Sequence, residues 1–499
     1  IITKKNNYLF VDGRYTAQAK LETKGKFKIF EIPRYLPSNI LYRFENGIKI
    51  GYDPKLFTQN MLLKYFGKKI KLIAISENLI DKIDSQKNFE IKKPFFSLNT
   101  KITGENISLK IKRIVRILNK RNIDNLFITA PENSAWLLNI RGFDNPHSPI
   151  PNCRVIITKD KKIYVFSDLE KIKKIKKNNI YKNIKFKKFN DLFEVINKLK
   201  YKNFAIDALS CSIYNQCLIK SKFEIISLID PCYELKAIKN KTEINHTKKA
   251  HIEDGAALSK FLYWIQKKNI NKLTELDVIK KLENFRKKNN NYLFPSFDTI
   301  AGSGPNGAII HYRANKKTNR LLNKKHLLLI DSGGQYKYGT TDVTRTICFN
   351  KPSKQVKDIF TRVLKGHIAV TMSDLSKIKN GSDVDLHARK YLKQIGLDYK
   401  HGTGHGVGFF LNVHEGPQSI SNNNLVPLKE GMILSNEPGY YKTKSFGIRI
   451  ENLIFINKKN KKLFFENLTL APIDTKLINF NFLNEKEKKY LSDYNINVY

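Results

Sequence analysis

The stretch that most restricts this chain is His401–Gly416, HGTGHGVGFFLNVHEG. Three histidines, His401, His405 and His414, stand among five glycines in sixteen residues. Glycine lets a backbone approach an ion or a substrate closely and take up positive φ. Histidine supplies a metal ligand or a proton carrier near neutral pH. Taken alone, the stretch would also suit a glycine-rich surface loop with scattered histidines. The acids in the same half of the chain decide between the two readings.

Four acids end or interrupt apolar strand-like segments. Asp331 follows LLLI, and Asp342 lies eleven positions later, on the return arm of an expected hairpin. Glu437 follows MILSN, and Glu451 sits inside IRIENLIFI. Each has a plain alternative. Asp331 could be a turn residue, Asp342 an Asx hydrogen-bonding group, Glu437 a turn cap and Glu451 a partner for Arg449. Yet burying ionised carboxylates without a partner is very costly. Four carboxylates converging with imidazole is what a pair of divalent cations requires, with the carboxylates bridging and imidazole in a terminal position.

Composition narrows the class. Hydrophobic residues make up 41% of the 499, enough for packed cores, and no apolar run approaches the ~18 residues of a membrane helix. The net charge of +45 invites a nucleic-acid reading. The lysines are dispersed, however, and the densest run, Lys171 to Lys188, reads as a solvated face. No base-stacking aromatic set accompanies it, so no nucleic-acid partner is expected. Five cysteines with no CxxC argue against a disulfide framework and a cysteine zinc site, and suit a reducing cytoplasm. The chain opens without an initiator Met in what reads as a strand, so an upstream start is expected.

The pattern along the chain predicts an α/β (α+β) protein of three domains, 1–95, 96–235 and 236–499. In the first, Tyr8–Val11 and Ile70–Ile75 read as strands and Tyr15–Leu21 as the start of a helix; Ser97–Thr103 after Pro94 reads as a linker. In the second, Ser108–Lys120 has helical apolar spacing, and Val155–Thr158 with Ile163–Phe166 reads as a hairpin. In the third, Thr242–Gln266 is a long amphipathic helix, with Asp254 beside His251 assigned to its surface. Thr274 with Asp277 reads as a capping box. Leu327–Phe349 reads as two strands around GGQYKYG, and Ile448–Ile456 as one strand. Helices are expected at Ser353–Val370 and Ser382–Ile395, the latter stopped by Gly396.

The segments GSGPNGAIIHY (302–312), IDSGGQYKYGTTDVTRT (330–346), HGTGHGVGFFLNVHEGP (401–417), NEPGYY (436–441) and FGIRIEN (446–452) closely resemble the pita-bread metallopeptidases. Within them the chain is similar to the Xaa-Pro aminopeptidases (aminopeptidase P) of the long, three-domain kind. VDGRYTAQA (11–19) and ITAPENSAWLLNIRG (128–142) resemble that family's first two domains. The resemblance thus covers nearly the whole chain. Against the family pattern, the first domain is expected to begin several tens of residues upstream, and the C-terminus to stop early, near a surface helix.

The resemblance implies two creatinase-like α/β domains followed by a pita-bread catalytic domain. It implies a dinuclear site of Asp331, Asp342, His405, Glu437 and Glu451, with Asp342 and Glu451 bridging. His311, His401 and His414 match histidines that position substrate and the developing oxyanion, with Tyr441 and Arg449 in support. Glu437 would also serve as the proton carrier. The implied cofactor is two divalent ions, Mn²⁺ by family preference, with Zn²⁺ or Co²⁺ also compatible with the donors. The implied activity is release of the first residue from peptides with proline second, by a cytoplasmic homodimer. The nearest rival is a prolidase restricted to dipeptides, against which the extra leading domain speaks. A non-catalytic relative recruited for binding is the rival of another class.

Overall fold

A computed structural model of the chain describes residues 1–13, 15–43, 48–83 and 93–499, the side chain of Ala17 excepted. Arg14 of the VDGRYTAQA segment lies outside the described residues. Contacts divide the chain into two units, Ile1–Asp12 with Glu22–Lys236, and Gly13–Leu21 with Ala237–Tyr499.

The first unit is built on a six-stranded mixed sheet. Its order is Ile184–Lys187, Ile163–Ser167, Cys153–Thr158, Asn125–Ile128, Asn203–Ile206 and Glu224–Ser227. The expected hairpin is there, with Val155 opposite Val165. Strands fully buried on both faces need helices over them, and Ile107–Lys120 supplies one through Ile111, Ile114, Val115 and Leu118. Two short parallel pairs lie nearer the N-terminus, Tyr8–Asp12 with Lys28–Ile32 and Lys49–Tyr52 with Lys71–Ala74. The expected linker at Ser97–Thr103 is instead structured. Phe96–Ser97 pairs with Ile140–Arg141, and Thr100–Thr103 forms a helical turn ended by Gly104. Its apolar residues Phe95 and Leu98 are buried, which a free linker could not sustain.

The second unit carries the acids and histidines. Its longest helix, Lys241–Lys267, begins at a capping box in which Asn240 accepts from the Glu243 amide and Glu243 reaches back. Its apolar face, Leu258, Phe261 and Ile265, packs with Val278 and Leu282 of the next helix, Glu275–Arg286. Thr274 and Asp277 cap that second helix reciprocally, as their spacing predicts. Both helices cover a three-stranded antiparallel sheet of Ile300–Ser303, Leu328–Ser332 and Val343–Ile347. Asp331 stands opposite Thr344 in this sheet. The GGQYKYG tip forms strands of its own, Gly334–Tyr336 and Gly339–Thr340, joined to Tyr292–Pro295.

A five-stranded antiparallel sheet supplies the rest, in the order Glu415–Ile420, Gly404–Gly406, Ile433–Asn436, Asn452–Lys459 and Lys462–Asn467. Helices Lys354–Thr371, Gly381–Lys393 and Glu485–Val498 belong to the same unit, and Gly396 at φ 71° follows the second of them. The expected single strand Ile448–Ile456 is broken at Ile450 and Glu451. Phe446–Arg449 pairs with Gly439–Lys442, whereas Asn452–Lys459 pairs with Ile433–Asn436. The chain changes partner at Glu451, which frees that carboxylate from the alternation of either strand.

Candidate active site

Each acid is delivered by a different piece of this framework. Asp331 comes from the strand Leu328–Ser332, Asp342 from the residue before Val343–Ile347, Glu437 from the end of Ile433–Asn436, and Glu451 from the strand break. His405 sits in the middle of the three-residue strand Gly404–Gly406. A side chain at either glycine would collide with a neighbouring strand. A Cβ at Gly404 would meet the Ser435 carbonyl oxygen at 1.8 Å, and one at Gly406 the Glu415 carbonyl oxygen at 2.1 Å. The Gly-His-Gly order therefore lets three strands close around one imidazole.

Asp342, His405 and Glu451 offer ligand atoms that all lie within 4.8 Å of one another. His405 Nε2 is 3.5 Å from Asp342 Oδ2 and 3.5 Å from Glu437 Oε1. Asp331 joins them through Arg449, whose Nη2 donates to Oδ2 at 2.6 Å. The same guanidinium donates to the Tyr441 hydroxyl at 2.6 Å and to the Thr344 hydroxyl at 3.1 Å. Thr344 in turn donates to Glu451 Oε2 at 2.6 Å. Tyr441 is 2.9 Å from His401 Nε2, and His414 stands beside His405 with ring centroids 4.2 Å apart. All ten residues singled out in the sequence surround one region. Nine of them line a single cavity of about 410 Å³, and Tyr441 backs it from behind His401 and Arg449.

The electrostatics are those of a site short of positive charge. Burial pushes the Asp342 carboxyl well above its ordinary value, and repulsion from Asp331 and Glu437 adds to it. Burial does the same to Glu451, with Asp342 and Glu437 repelling it, and to Glu437, where His405 and Arg449 partly oppose the rise. The Tyr441 phenol is raised to about 12 by burial, against the pull of Arg449. His401 is lowered to about 3 by burial and by Arg449, so its ring is neutral. Asp331 Oδ1 is buried and has no hydrogen-bond partner. An unpartnered buried carboxylate oxygen beside three carboxyls raised by burial and repulsion is an acceptor set that divalent cations would satisfy.

Three contributions escaped the sequence. Tyr15 and Gln18, from the segment Gly13–Leu21, line the same cavity, and Tyr15 hydrogen-bonds His311 Nδ1 at 2.7 Å. The contact spans 296 positions, which no local pattern reveals. Thr344 ties Glu451 to Arg449 from inside TTDVTRT, where several hydroxyls look alike. Asp254 was expected on the surface and is buried, holding Arg286 at 2.7 Å and accepting from Tyr336 at 2.7 Å. Burial works against its charge, and the guanidinium overrides that, leaving its pKa below the usual carboxylate range. The signal was its spacing: Ala250, Asp254, Leu258 and Phe261 share one helical stripe. Arg449, offered as a partner for Glu451, pairs directly with Asp331.

Residues 245–458 match the family described as metallopeptidase family M24, and 461–499 its C-terminal region. Residues 86–243 match the creatinase/prolidase N-terminal domain. Xaa-Pro aminopeptidase 1 of Dictyostelium discoideum is 38% identical over 99% of this chain and 83% of its own length. The crystal structure of X-prolyl aminopeptidase from Caenorhabditis elegans, described as a cytosolic enzyme with a di-nuclear active site, superposes with a TM-score of 0.92. It is 29% identical and covers 100% of this chain and 85% of that one. Prolidase from Pyrococcus furiosus aligns with a TM-score of 0.58 at 28% identity, covering 72% of this chain and 99% of that one. The chain belongs to metallopeptidase family M24, in its Xaa-Pro aminopeptidase branch, with a creatinase-type N-terminal region and a pita-bread catalytic domain. No helix among the described residues is long and apolar enough to cross a membrane.

Proposed function

We propose that the chain removes the first residue from peptides whose second residue is proline, and that Asp331, Asp342, His405, Glu437 and Glu451 hold its two cations. The observation that carries the assignment is the convergence of Asp342, His405 and Glu451 within 4.8 Å, from three separate strands or strand ends. The donor set fits: four carboxylates and one imidazole are hard to borderline ligands that suit Mn²⁺, our choice of metal, before softer ions. Asp342 and Glu451, both buried and both within reach of His405, would be the ligands shared by the two cations.

When bound, the cations supply positive charge and lower the pKa of a water toward about 7. The protein's own groups do the rest. Glu437 takes the proton of the attacking water and passes it to the leaving nitrogen. Ser435 donates to its Oε1 at 3.1 Å and steadies the carboxyl. His414 and His311 donate to the oxygen of the tetrahedral intermediate, a role worth about 3–4 kcal/mol for one aimed donor. Neutral His401 orients Tyr441, and with it Arg449 and Asp331. The scissile nitrogen belongs to proline and carries no N–H, so the site recognises ring shape and kink and not an amide proton.

Further parts of the reading are the division into domains 1–95, 96–235 and 236–499, a homodimeric assembly and a cytoplasmic location. The cytosolic description of the Caenorhabditis elegans relative supports the last. The test is turnover of a tripeptide with proline second, of the matching Xaa-Pro dipeptide and of a tripeptide with alanine second, with and without a chelator. Cleavage of the first substrate alone, lost on chelation, is expected. Dipeptide-only cleavage would make the protein a prolidase and overturn the reading.

A further inference from the structure

Alternation along the strand Val343–Ile347 sends Thr344 and Thr346 to one face and Arg345 to the other. The hydroxyls grip the site side. Thr344 donates to Glu451 Oε2 at 2.6 Å, and Thr346 donates to the Arg449 carbonyl at 3.0 Å. Arg345 acts from behind. It is 2% exposed, and all three of its side-chain nitrogens are engaged. Nη1 donates to the Thr344 carbonyl at 2.8 Å and to the Glu451 carbonyl at 2.7 Å. Nε donates to the Pro472 carbonyl at 2.8 Å, and Nη2 to the Ala471 carbonyl at 2.8 Å and the Tyr494 hydroxyl at 3.0 Å. Every acceptor it meets among the described residues is a neutral oxygen. Burying a guanidinium without a carboxylate is costly, so the arrangement secures geometry and not charge pairing.

That geometry is the strand break. At Ile450 and Glu451 the main chain has left one ladder and not yet joined the next. Its buried polar groups need partners from outside a sheet. The Glu451 amide donates to the Thr344 carbonyl at 3.2 Å, and the Glu451 carbonyl accepts from Arg345. The helix Glu485–Val498 holds the guanidinium from its far side. Tyr494 accepts from Arg345 and donates to the Ala471 carbonyl at 2.8 Å. Tyr490, one turn earlier, reaches the same guanidinium through Asn467 and Asn452. Two routes thus run from one helix to one side chain. We propose that Arg345 and Tyr494 are positioning residues for the metal centre: the C-terminal helix, through the Tyr494 hydroxyl, holds the guanidinium that pins the Glu451 main chain and so aims its carboxylate at the cations. The proposal rests on the reading of Glu451 as a metal ligand. It gives the segment 461–499, which contributes no residue to the cavity lining, a part in cation binding.

The test measures the Mn²⁺ affinity of the full chain by competition with a fluorescent chelator. Tyr494→Phe deletes one oxygen and keeps the buried ring. It should weaken affinity about three- to tenfold, the effect of one hydrogen bond of ordinary strength. Arg345→Lys keeps the charge, but one ammonium cannot span the Thr344, Glu451 and Ala471 carbonyls, and affinity should fall about 10- to 100-fold. Adding Tyr494→Phe to Arg345→Lys should cost less than about twofold more, because its route to Glu451 is gone. Leu483→Ala truncates a buried residue of the same core just before the helix and removes no hydrogen bond made by its side chain. It should lower the thermal midpoint and leave Mn²⁺ affinity within about twofold of wild type. Where Arg345→Lys does not fold, Tyr494→Phe set against Leu483→Ala decides. Wild-type affinity in Tyr494→Phe or Arg345→Lys, additive losses in the double variant, or a loss in Leu483→Ala equal to that in Tyr494→Phe would each overturn the proposal. Wild-type affinity in Glu451→Gln would instead overturn the reading of Glu451 on which it rests.

Discussion

Thr344→Val isolates one hydroxyl at the junction of the site. That hydroxyl donates to Glu451 Oε2 at 2.6 Å and accepts from Arg449 Nε at 3.1 Å, while Arg449 reaches on to Asp331. Valine keeps the shape and the strand position, and the backbone bond from the Glu451 amide to the Thr344 carbonyl is untouched. A hydrogen bond to a charged group contributes about 1.5–3 kcal/mol, which converts to a loss of roughly 10- to 150-fold in an equilibrium constant. Groups that back a metal ligand typically change cation affinity by about 10- to 100-fold, so two independent routes give the same size. The sign with pH follows from Glu451. Burial raises its pKa, repulsion from Asp342 raises it further, and losing a donor to the carboxylate raises it again. A protonated Glu451 holds a cation poorly, so the affinity gap between variant and wild type should widen as pH falls. Competition with a fluorescent chelator for Mn²⁺ and Zn²⁺ measures it, and Thr344→Ser should restore most of the loss. An affinity within about twofold of wild type across that range would show that the hydroxyl does not support Glu451, and the argument from contact to ligand strength would fail.

Four further outcomes are expected. Asp342→Asn should abolish turnover and lower the metal content seen by elemental analysis, because a neutral amide bridges two cations poorly; retention of both ions with activity would remove Asp342 from the bridge. His414→Ala should reduce kcat while both ions remain bound, and ordinary turnover would take it out of the catalytic set. Asp254→Asn leaves Arg286 as a buried charge without its carboxylate, a loss of about 3–5 kcal/mol, or roughly 6–20 °C in the calorimetric midpoint of the second unit; a shift under ~2 °C would refute it. Stripping the cations leaves Asp342, Glu437 and Glu451 with raised pKa values, so the native state binds protons that the unfolded chain releases. The stability that those carboxyls contribute to the stripped protein is therefore full below the ordinary carboxylate range and lost as pH rises through the raised values. The gap in melting temperature between loaded and stripped protein should be larger at about pH 8 than at about pH 5, and a constant gap would contradict the assignment.

What could be read from the residues was what local physics enforces. Thr274 with Asp277, and the apolar period of Lys241–Lys267, gave helices because caps and stripes are properties of a few neighbouring residues. The acids were visible because a carboxylate at the end of a buried strand is costly anywhere except at a site. The failures share one cause, a partner distant in sequence. Asp254 looked like a surface acid because Arg286, which makes it an interior one, lies 32 positions away on another helix. Ser97–Thr103 looked like a linker because its pairing partner Ile140–Arg141 is too short to register as a strand. Ile448–Ile456 looked continuous because apolar, strand-forming residues run to both ends of it, and only the change of partner strand reveals the break that aims Glu451.

The number of cations follows from the same carboxylates. Among the described residues, Asp331, Asp342, Glu437 and Glu451 are opposed at close range by one guanidinium, Arg449, and Arg286 is already committed to Asp254. Ionised together, they leave three net negative charges in a largely buried cavity. One divalent cation would leave the site with one negative charge and repel the oxygen on which charge develops during attack. Two cations turn the balance to one positive charge, which that oxygen neutralises. A cavity with this composition is electrostatically mismatched to its own transition state until the second ion binds. Turnover should therefore rise with the square of free cation at low occupancy, not linearly. A linear dependence, with one ion found per fully active chain, would mean that a single cation suffices and that one of the four carboxyls works protonated.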